Sequence, residues 1–306
     1  MSGIMMKVYI ILLCFLGLAS RVQAELVELT PSEVYAQVMQ IDKEVDLLQL
    51  YFGLDQEKEA DIYQGNLRPR HVWEQSYLIQ VKINVLRKKI GLPRNEPHSI
   101  EPELNLSPGL VFEQSQRLLA ELRILKKRLG ITEQVSPPQQ YTGKQPIDVF
   151  NRLHHISYQL DVINREEINP NYVFAEVMRI YEDIATLLKA LQLRDQTYPP
   201  GKKDEVTPAG ALAATFELLA EIQRLQKDAG IERTDFSIFQ KKEQVLPSDV
   251  FNLVSMALAE LQTIKAYSDL NHYVTPPAVT HERKKISDVH QLLRWTTRML
   301  RQIRSL

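Results

Sequence analysis

The sequence predicts an all-α protein: eight amphipathic helices of about 20 residues, arranged as an internal duplication of a four-helix unit with long proline-containing linkers. Three observations lead to this fold class. A similar segment recurs eight times, each segment has a helical spacing of apolar residues, and a second repeat relates positions 139 residues apart.

Seven of the eight recurring segments begin with a proline, and the eighth begins with Ile286. The prolines are Pro31, Pro69, Pro108, Pro146, Pro170, Pro208 and Pro247. Mainly apolar residues follow each start at offsets 3, 7, 10, 14, 17 and 21. These alternating steps of four and three place the side chains on one face of a helix. At offset 14 every segment has an aliphatic residue, from Val45 to Leu300.

The ends of the segments agree with this interpretation. Proline suits the first helical position because an N–H there has no partner within the helix. Possible N-cap residues precede several prolines, namely Thr30, Ser107, Asn169 and Thr207. Glycine followed by an aliphatic residue, as at Gly130-Ile131, predicts a left-handed stop after several helices.

The duplication relates Pro31, Pro69 and Pro108 to prolines 139 residues later. It predicts a first four-helix unit over residues 25–168 and a second over residues 169–306. Within each unit about 14 residues separate one helix from the next, enough for extended chain to run back along a whole helix. Parallel and antiparallel packing are both compatible with such linkers.

The first 24 residues are typical of a secretory signal peptide. An apolar run, Val8 to Leu18, is followed by small residues ending at Ala24, where we expect cleavage. The single cysteine, Cys14, lies in this segment, so the mature chain would contain none. We expect export to a bacterial periplasm, with no membrane span after cleavage because no later stretch is long and apolar enough.

The composition excludes several functional classes. With 37 basic and 38 acidic side chains, the chain does not have the excess positive charge of a general nucleic-acid binder. One cysteine excludes a disulfide scaffold and a cysteine-rich metal site. Adjacent His154 and His155 point about 100° apart on a helix, so they do not readily chelate one ion. We predict no metal site, no cofactor and no catalytic residue.

One polar feature recurs within the apolar seam. The residue at offset 7 is Ser76, Ser115 or Thr215 in three helices. Such hydroxyls can bond to a carbonyl one turn back, or they can leave space for a ligand between helices. The second interpretation predicts a ligand pocket, formed with the neighbouring aromatic residues Trp73, Tyr77, Phe112 and Phe216.

The last helix carries arginines spaced by three or four residues: Arg294, Arg298, Arg301 and Arg304. They form a basic stripe. It is either a solvated face whose charges suit a helix C-terminus or a docking surface for an acidic partner, an anionic polysaccharide or lipid headgroups.

Taken together, the sequence favours an exported, non-enzymatic helical binding or scaffold protein that engages an envelope protein partner. The alternative is a small-molecule carrier or chaperone that uses interhelical cavities. A metalloprotein or an enzyme is disfavoured, and no nucleic-acid partner is expected.

Overall fold

The computed structural model describes residues 29–54, 60–165, 168–240, 244–279, 281–304 and 306. Over these residues the chain forms eight α-helices and no strand, which confirms the all-α prediction and all eight predicted helix starts. The predicted signal peptide lies outside the described residues. The helices are α1 (Pro31–Tyr51), α2 (Pro69–Lys89), α3 (Pro108–Leu129), α4 (Pro146–Asn164), α5 (Pro170–Ala190), α6 (Pro208–Asp228), α7 (Pro247–Tyr267) and α8 (Ile286–Arg301).

Helix starts share one capping device. In α1 the Thr30 hydroxyl accepts the N–H of Ser32, and the Glu33 carboxylate accepts the N–H of Thr30 at 2.8 Å. The third helical residue captures the N-cap N–H in the same way in four more helices, through His71, Asp148, Asp249 and Asp288. These side chains satisfy donors that the helix itself leaves without partners.

Helix ends follow the predicted left-handed stop, with one instructive change between units. Gly130 has φ of 76°, and the next residue, Ile131, donates its N–H to the Lys126 carbonyl. The counterpart of Gly130 in the second unit is Asp269, which keeps a φ of 58° without the freedom of glycine. Leu270 donates its N–H to the Lys265 carbonyl, so the same backbone hydrogen bond closes the stop in both units.

All four helices of the first unit run in the same direction. Their first turns surround one small apolar cavity of about 10 Å³, lined by each helix's first proline and by the valine at offset 3. In the ring, α1 packs on α3 and α4, and α2 packs on the same two helices. The second unit repeats the arrangement, because α5 and α6 each pack on α7 and α8.

The long linkers make this parallel packing possible. The linker that leaves α3 runs back along α1, where the Gln40 amide donates to the Ser136 carbonyl. Further along, Tyr141 packs edge-on against Tyr35 with ring centroids 5.0 Å apart. The linker then reaches the start of α1, so it spans the helix from end to end before α4 begins.

The equivalent linker of the second unit follows the same path along α5. The Arg179 guanidinium donates to the Pro276 carbonyl, and His281 packs on Phe174 with centroids 4.9 Å apart. Arg179 and Phe174 are the counterparts of Gln40 and Tyr35. The duplication therefore extends from the helices to the return linkers.

The two units lie side by side and run in opposite directions. Residues 165–169 alone separate α4 from α5, so the second unit starts beside the end at which the first finishes. Near the start of α2, Arg70 meets Glu260 in the C-terminal half of α7. Each end of the molecule thus combines the helix starts of one unit with the helix ends of the other.

The core follows the predicted seam. The eight aliphatic residues at offset 14 are fully buried, namely Val45, Ile83, Leu122, Leu160, Ile184, Ile222, Leu261 and Leu300. Burial of such side chains contributes roughly 1.5–3 kcal/mol each. One core seam therefore runs through each bundle.

Candidate functional site at the junction of the two units

Helix α2 is covered on every side, whereas its duplicate α6 is not. Arg70, Glu74 and Leu78 of α2 are buried against the second unit. Their counterparts on α6 are Ala209, Ala213 and Glu217, all of them exposed. The junction between the units is therefore made by the outer face of α2, which packs on α7.

The first polar cluster of the junction is centred on Glu260. Its carboxylate accepts from Arg70 Nε at 2.9 Å and contacts His71 Nε2 at 2.7 Å. The backbone N–H of Arg68 donates to His71 Nδ1 at 2.8 Å. Nδ1 therefore carries no proton, so His71 is neutral and donates to Glu260 through Nε2–H.

The electrostatics agree with that assignment. Complete burial lowers the pKa of His71. Burial alone would raise the pKa of Glu260, but the hydrogen bond from His71 and the charge of Arg70 hold that pKa below its ordinary value of 4.5. Gln226 and Thr234 add hydrogen bonds to the same carboxylate. Glu260 is therefore a buried, ionised carboxylate with cationic and neutral donors around it.

The second cluster places one arginine between two carboxylates. Arg179 Nη1 lies 2.8 Å from Glu176 and 3.4 Å from Glu74. Its guanidinium stacks over the Tyr77 ring at 3.9 Å, and the Tyr77 hydroxyl accepts the N–H of Ala278. Burial raises the pKa of Glu74 to about 8, and the Glu176 carboxylate adds to the shift while Arg179 opposes it.

A third ion pair is common to both units. Lys265 Nζ lies 2.7 Å from Asp183, and its counterpart Lys126 lies 2.6 Å from Glu44. Each lysine also contacts the return linker, at Thr275 or at the Glu133 carbonyl. These pairs tie each linker to its own bundle, so they belong to the repeated fold and not to the junction.

A small cavity adjoins the two junction clusters. Its volume is about 20 Å³, and its lining includes Trp73, Glu74 and Ser99. Trp73 Nε1 and Ser99 Oγ have no hydrogen-bond partner. A cavity of this size with several polar neighbours suits an ordered water. It does not fit an organic substrate.

The buried His71–Glu260 contact resembles an acid–base pair, but both side chains are 0 % exposed. General acid–base catalysis needs a group within hydrogen-bond reach of a bound substrate. The water-sized space beside the clusters does not provide that access. The arrangement instead fixes the position of one bundle against the other.

The structure does not bring the predicted pocket hydroxyls together. Ser76 donates to the Trp73 carbonyl, Ser115 to the Val111 carbonyl and Thr215 to the Ala211 carbonyl. Ser76 and Ser115 lie in the first unit and Thr215 in the second, and all three are fully buried. The hydroxyls are thus bonded within their own helices, the first of the two interpretations above.

The predicted aromatic residues separate into different surroundings. Trp73 and Tyr77 stack at the junction with centroids 6.2 Å apart. Phe112 is half-buried against the core of the first unit. Phe216, the counterpart of Tyr77, lines a groove on the outside of the second unit. Two of the four therefore contribute to the junction, which the sequence interpretation had not located.

The predicted basic stripe lies on the outside of α8. Arg298, Arg301 and Arg304 are exposed, and Arg294 is half-buried. Arg301 pairs with Glu221 of α6 at 2.8 Å, and Arg298 donates to the Tyr198 carbonyl. Two of the four cations thus have partners within the chain.

The groove that Phe216 lines has a volume of about 820 Å³. It runs between α6 and the linker that follows it, which contributes Ile231, Arg233 and Phe236. With the outer face of α6 (Ala209, Ala213, Glu217 and Ala220) it forms a continuous exposed surface.

Sequence reasoning missed the junction residues Arg70, His71, Glu74, Arg179 and Glu260. A signal was present, because the two copies differ at these positions. Arg70, His71 and Glu74 correspond to two alanines and a glycine in α6. Where one copy has charged residues and the other copy has small residues at the corresponding positions, the two copies use that face of the helix differently.

Comparison with protein-family models, with curated proteins and with solved structures gave no match. Among the described residues, no group of three or more His, Cys, Asp and Glu is placed to hold a metal ion. No helix in the described part of the chain is long and apolar enough to cross a membrane.

Proposed function

We propose that this chain is an exported helical scaffold that binds a protein partner of the cell envelope, without catalysis, on the outer face of α6. Export to the periplasm follows from the secretory signal expected in residues 1–24. In this view the first unit holds the second in a fixed orientation, and the second unit presents its outer surface to the partner.

The difference between α2 and α6 carries the proposal. The outer face of α2 is a docking face, since it is covered by a neighbouring helical bundle. The same face of α6 is exposed, carries three alanines and adjoins a groove of about 820 Å³. Small side chains let a helix approach closely. The groove has an apolar part, including Phe216 and Ile231, within a mainly polar and charged lining, a combination that suits recognition of an amphipathic helix.

The test is site-specific photocrosslinking in the envelope from position 213, on the outer face of α6. Position 120 is the matched control, because Ala120 is an exposed alanine at the middle of α3. We expect one discrete protein adduct from position 213 and none from position 120. Ala213→Arg should abolish co-purification of that protein, and Ala120→Arg should preserve it. Equal adducts from both positions would contradict the proposal.

The basic stripe of α8 offers a second contact area on the same unit. Arg294 and Lys203 both lie close enough to His290 to lower its pKa, after the effect of burial. The exposed Tyr198 stands beside Arg298. An acidic segment of the partner would complement this surface and accelerate its association.

Charge reversal at Arg294 and Arg298 tests this contact. We expect Arg294→Glu with Arg298→Glu to weaken capture of the crosslinked partner, with a smaller loss at high salt. The control reverses Arg117 and Arg128, two exposed arginines of α3. If capture survives the first pair of reversals, the stripe is a solvated face.

The alternative, a small-molecule carrier that uses interhelical cavities, has weaker support. The cavity between the units has a volume of about 20 Å³, whereas ligand pockets usually measure roughly 300–1,000 Å³. Thermal stabilisation of the purified protein by a saturating small molecule, lost in Trp73→Ala but kept in Ala213→Arg, would favour the carrier.

A further inference from the structure

The junction holds more carboxylates than its cations can pair. Arg70 pairs with Glu260, which leaves Arg179 to pair with both Glu176 and Glu74. Lys265, next to the junction, is already paired with Asp183 of its own bundle. The charged and titratable groups around Glu74 are Arg70, His71 and Tyr77 on α2, Arg179, Glu176 and Asp183 on α5, Glu260 and Lys265 on α7, and Glu101 and Glu103 on the linker after α2.

Arg179 does not serve its two partners equally. Its Nη1 atom lies 2.8 Å from Glu176 but 3.4 Å from Glu74, and only the nearer contact has the distance of a strong charge-assisted bond. Glu74 therefore has the weaker share of the cation in an interior where an unpaired charge is costly. A proton on Glu74 removes that cost.

The junction cavity gives this carboxyl a connection to water. Glu74 lines it together with Glu101, which is exposed, and the unpartnered Trp73 Nε1 and Ser99 Oγ atoms point to a bound water. Through such a water a proton can pass between Glu74 and solvent without separation of the two units.

We propose that the junction is proton-linked: the two units dock most tightly when Glu74 carries a proton, and the junction loosens as that proton is released. The proposal concerns the orientation of the units and does not depend on the partner surface of α6. Its physical basis is one buried arginine shared by two carboxylates at the contact between α2 and α5.

The direction of the pH dependence follows from linkage. Burial raises the pKa of Glu74 from 4.5 to about 8 in the docked state, and separation of α2 from the second unit would return it towards 4.5. The docked state therefore holds an extra proton between these values. Docking is strongest below the lower value and is lost as the pH rises through the higher one, by up to about tenfold per pH unit.

Trp73 is a natural reporter for this change, since it lies in the junction and is almost fully buried. Trp295→Phe removes the other tryptophan of the chain. In that background we expect acrylamide quenching of Trp73 to increase between about pH 5 and about pH 8 and to level off above that, as the open population rises by up to about tenfold per unit.

Glu74→Gln mimics the protonated carboxyl and should keep quenching low and independent of pH. Glu101→Gln, in an exposed residue of the same cavity, should retain the wild-type response. A wild-type protein without pH response, or a Glu74→Gln variant with the full response, overturns the proposal.

Infrared spectroscopy of the unmodified chain provides a second measurement that needs no variant. We expect a carboxylic acid C=O band that disappears with a midpoint near 8. If all carboxyl bands have disappeared by about pH 7, Glu74 is ionised in the docked state and the proposal fails.

Discussion

Glu121 in the first unit and Glu260 in the second occupy the same place in the duplication, but their cations come from different sources. Arg87, on the second helix of the same unit, pairs with Glu121. The counterpart of Arg87 is Gln226, a neutral residue, and Glu260 is paired instead by Arg70 of the first unit. One bundle satisfies its own carboxylate, and the other receives the required charge from its neighbour.

This difference shows how the second of two duplicated bundles comes to depend on the first. Loss of the internal arginine leaves Glu260 dependent on docking, because a buried carboxylate without a cation is unstable. The dependence runs one way, since Glu121 needs nothing from the second unit. The junction is therefore part of the stability of the second bundle.

The largest loss of stability should come from removal of Arg70, the cation that the first unit supplies to Glu260. Arg70→Met leaves Glu260 buried without its charged partner, and breaking a buried pair costs about 3–5 kcal/mol. Urea unfolding should show this loss. Arg224→Met removes a partly exposed pair with Glu221 and should cost less than about 1 kcal/mol. Similar losses in the two variants would mean that Glu260 does not depend on Arg70.

A fall in pH should also show that the fold depends on the ionised form of Glu260. The pKa of Glu260 is held below its ordinary 4.5, so its ionised form stabilises the fold above 4.5. That stability should be lost progressively as the pH falls below 4.5. Glu260→Gln should remove this part of the acid dependence. An unchanged acid limb in that variant would assign the loss to other carboxylates.

An arginine placed within the second unit should replace the cation that Arg70 supplies to Glu260. In the Arg70→Met background, Gln226→Arg gives the second unit the cation that Arg87 supplies in the first. We expect recovery of about 2 kcal/mol in urea unfolding, since the new arginine would again pair with Glu260. Gln223→Arg, one turn away on α6, is the control and should not recover stability. No recovery from Gln226→Arg would show that the two sites are not interchangeable.

The smallest change in stability should come from removal of a seam hydroxyl, and it should be the same in both units. Ser76→Ala and Thr215→Ala remove hydroxyls at equivalent positions, each bonded to a carbonyl of its own helix. We expect each to change stability by less than about 1 kcal/mol, because the helical backbone bonds remain. The two thermal shifts should agree. A large loss at one position only would indicate a polar role specific to that unit.

The sequence was sufficient for the elements of the fold. The prolines, the seam spacing and the caps are local signals, so they predicted all eight helix starts. The direction of neighbouring helices was not predictable, because linkers of 16 to 18 residues permit both a parallel and an antiparallel neighbour. The contacts of Gln40 and Tyr35 with the return linker decide it, and those contacts depend on the assembled bundle.

The candidate site was largely beyond sequence reasoning. Ser76 and Thr215 were conspicuous as polar residues in an apolar seam, but a bond one turn back satisfies each within its helix. Arg70 and Glu260 were inconspicuous, because isolated charges on helices usually face solvent. Their burial results from a contact between positions that lie far apart in the chain.

The parallel bundle also has a consequence for how the chain reaches its native state. Because α1 packs on α3 and α4, its neighbours emerge only after α2 and two complete return linkers have been made. The pairings of α1 must therefore close a long loop, whereas α2 meets its neighbour α3 after a single linker. Because closure of a long loop slows folding, α2 and α3 should associate before α1 completes the ring.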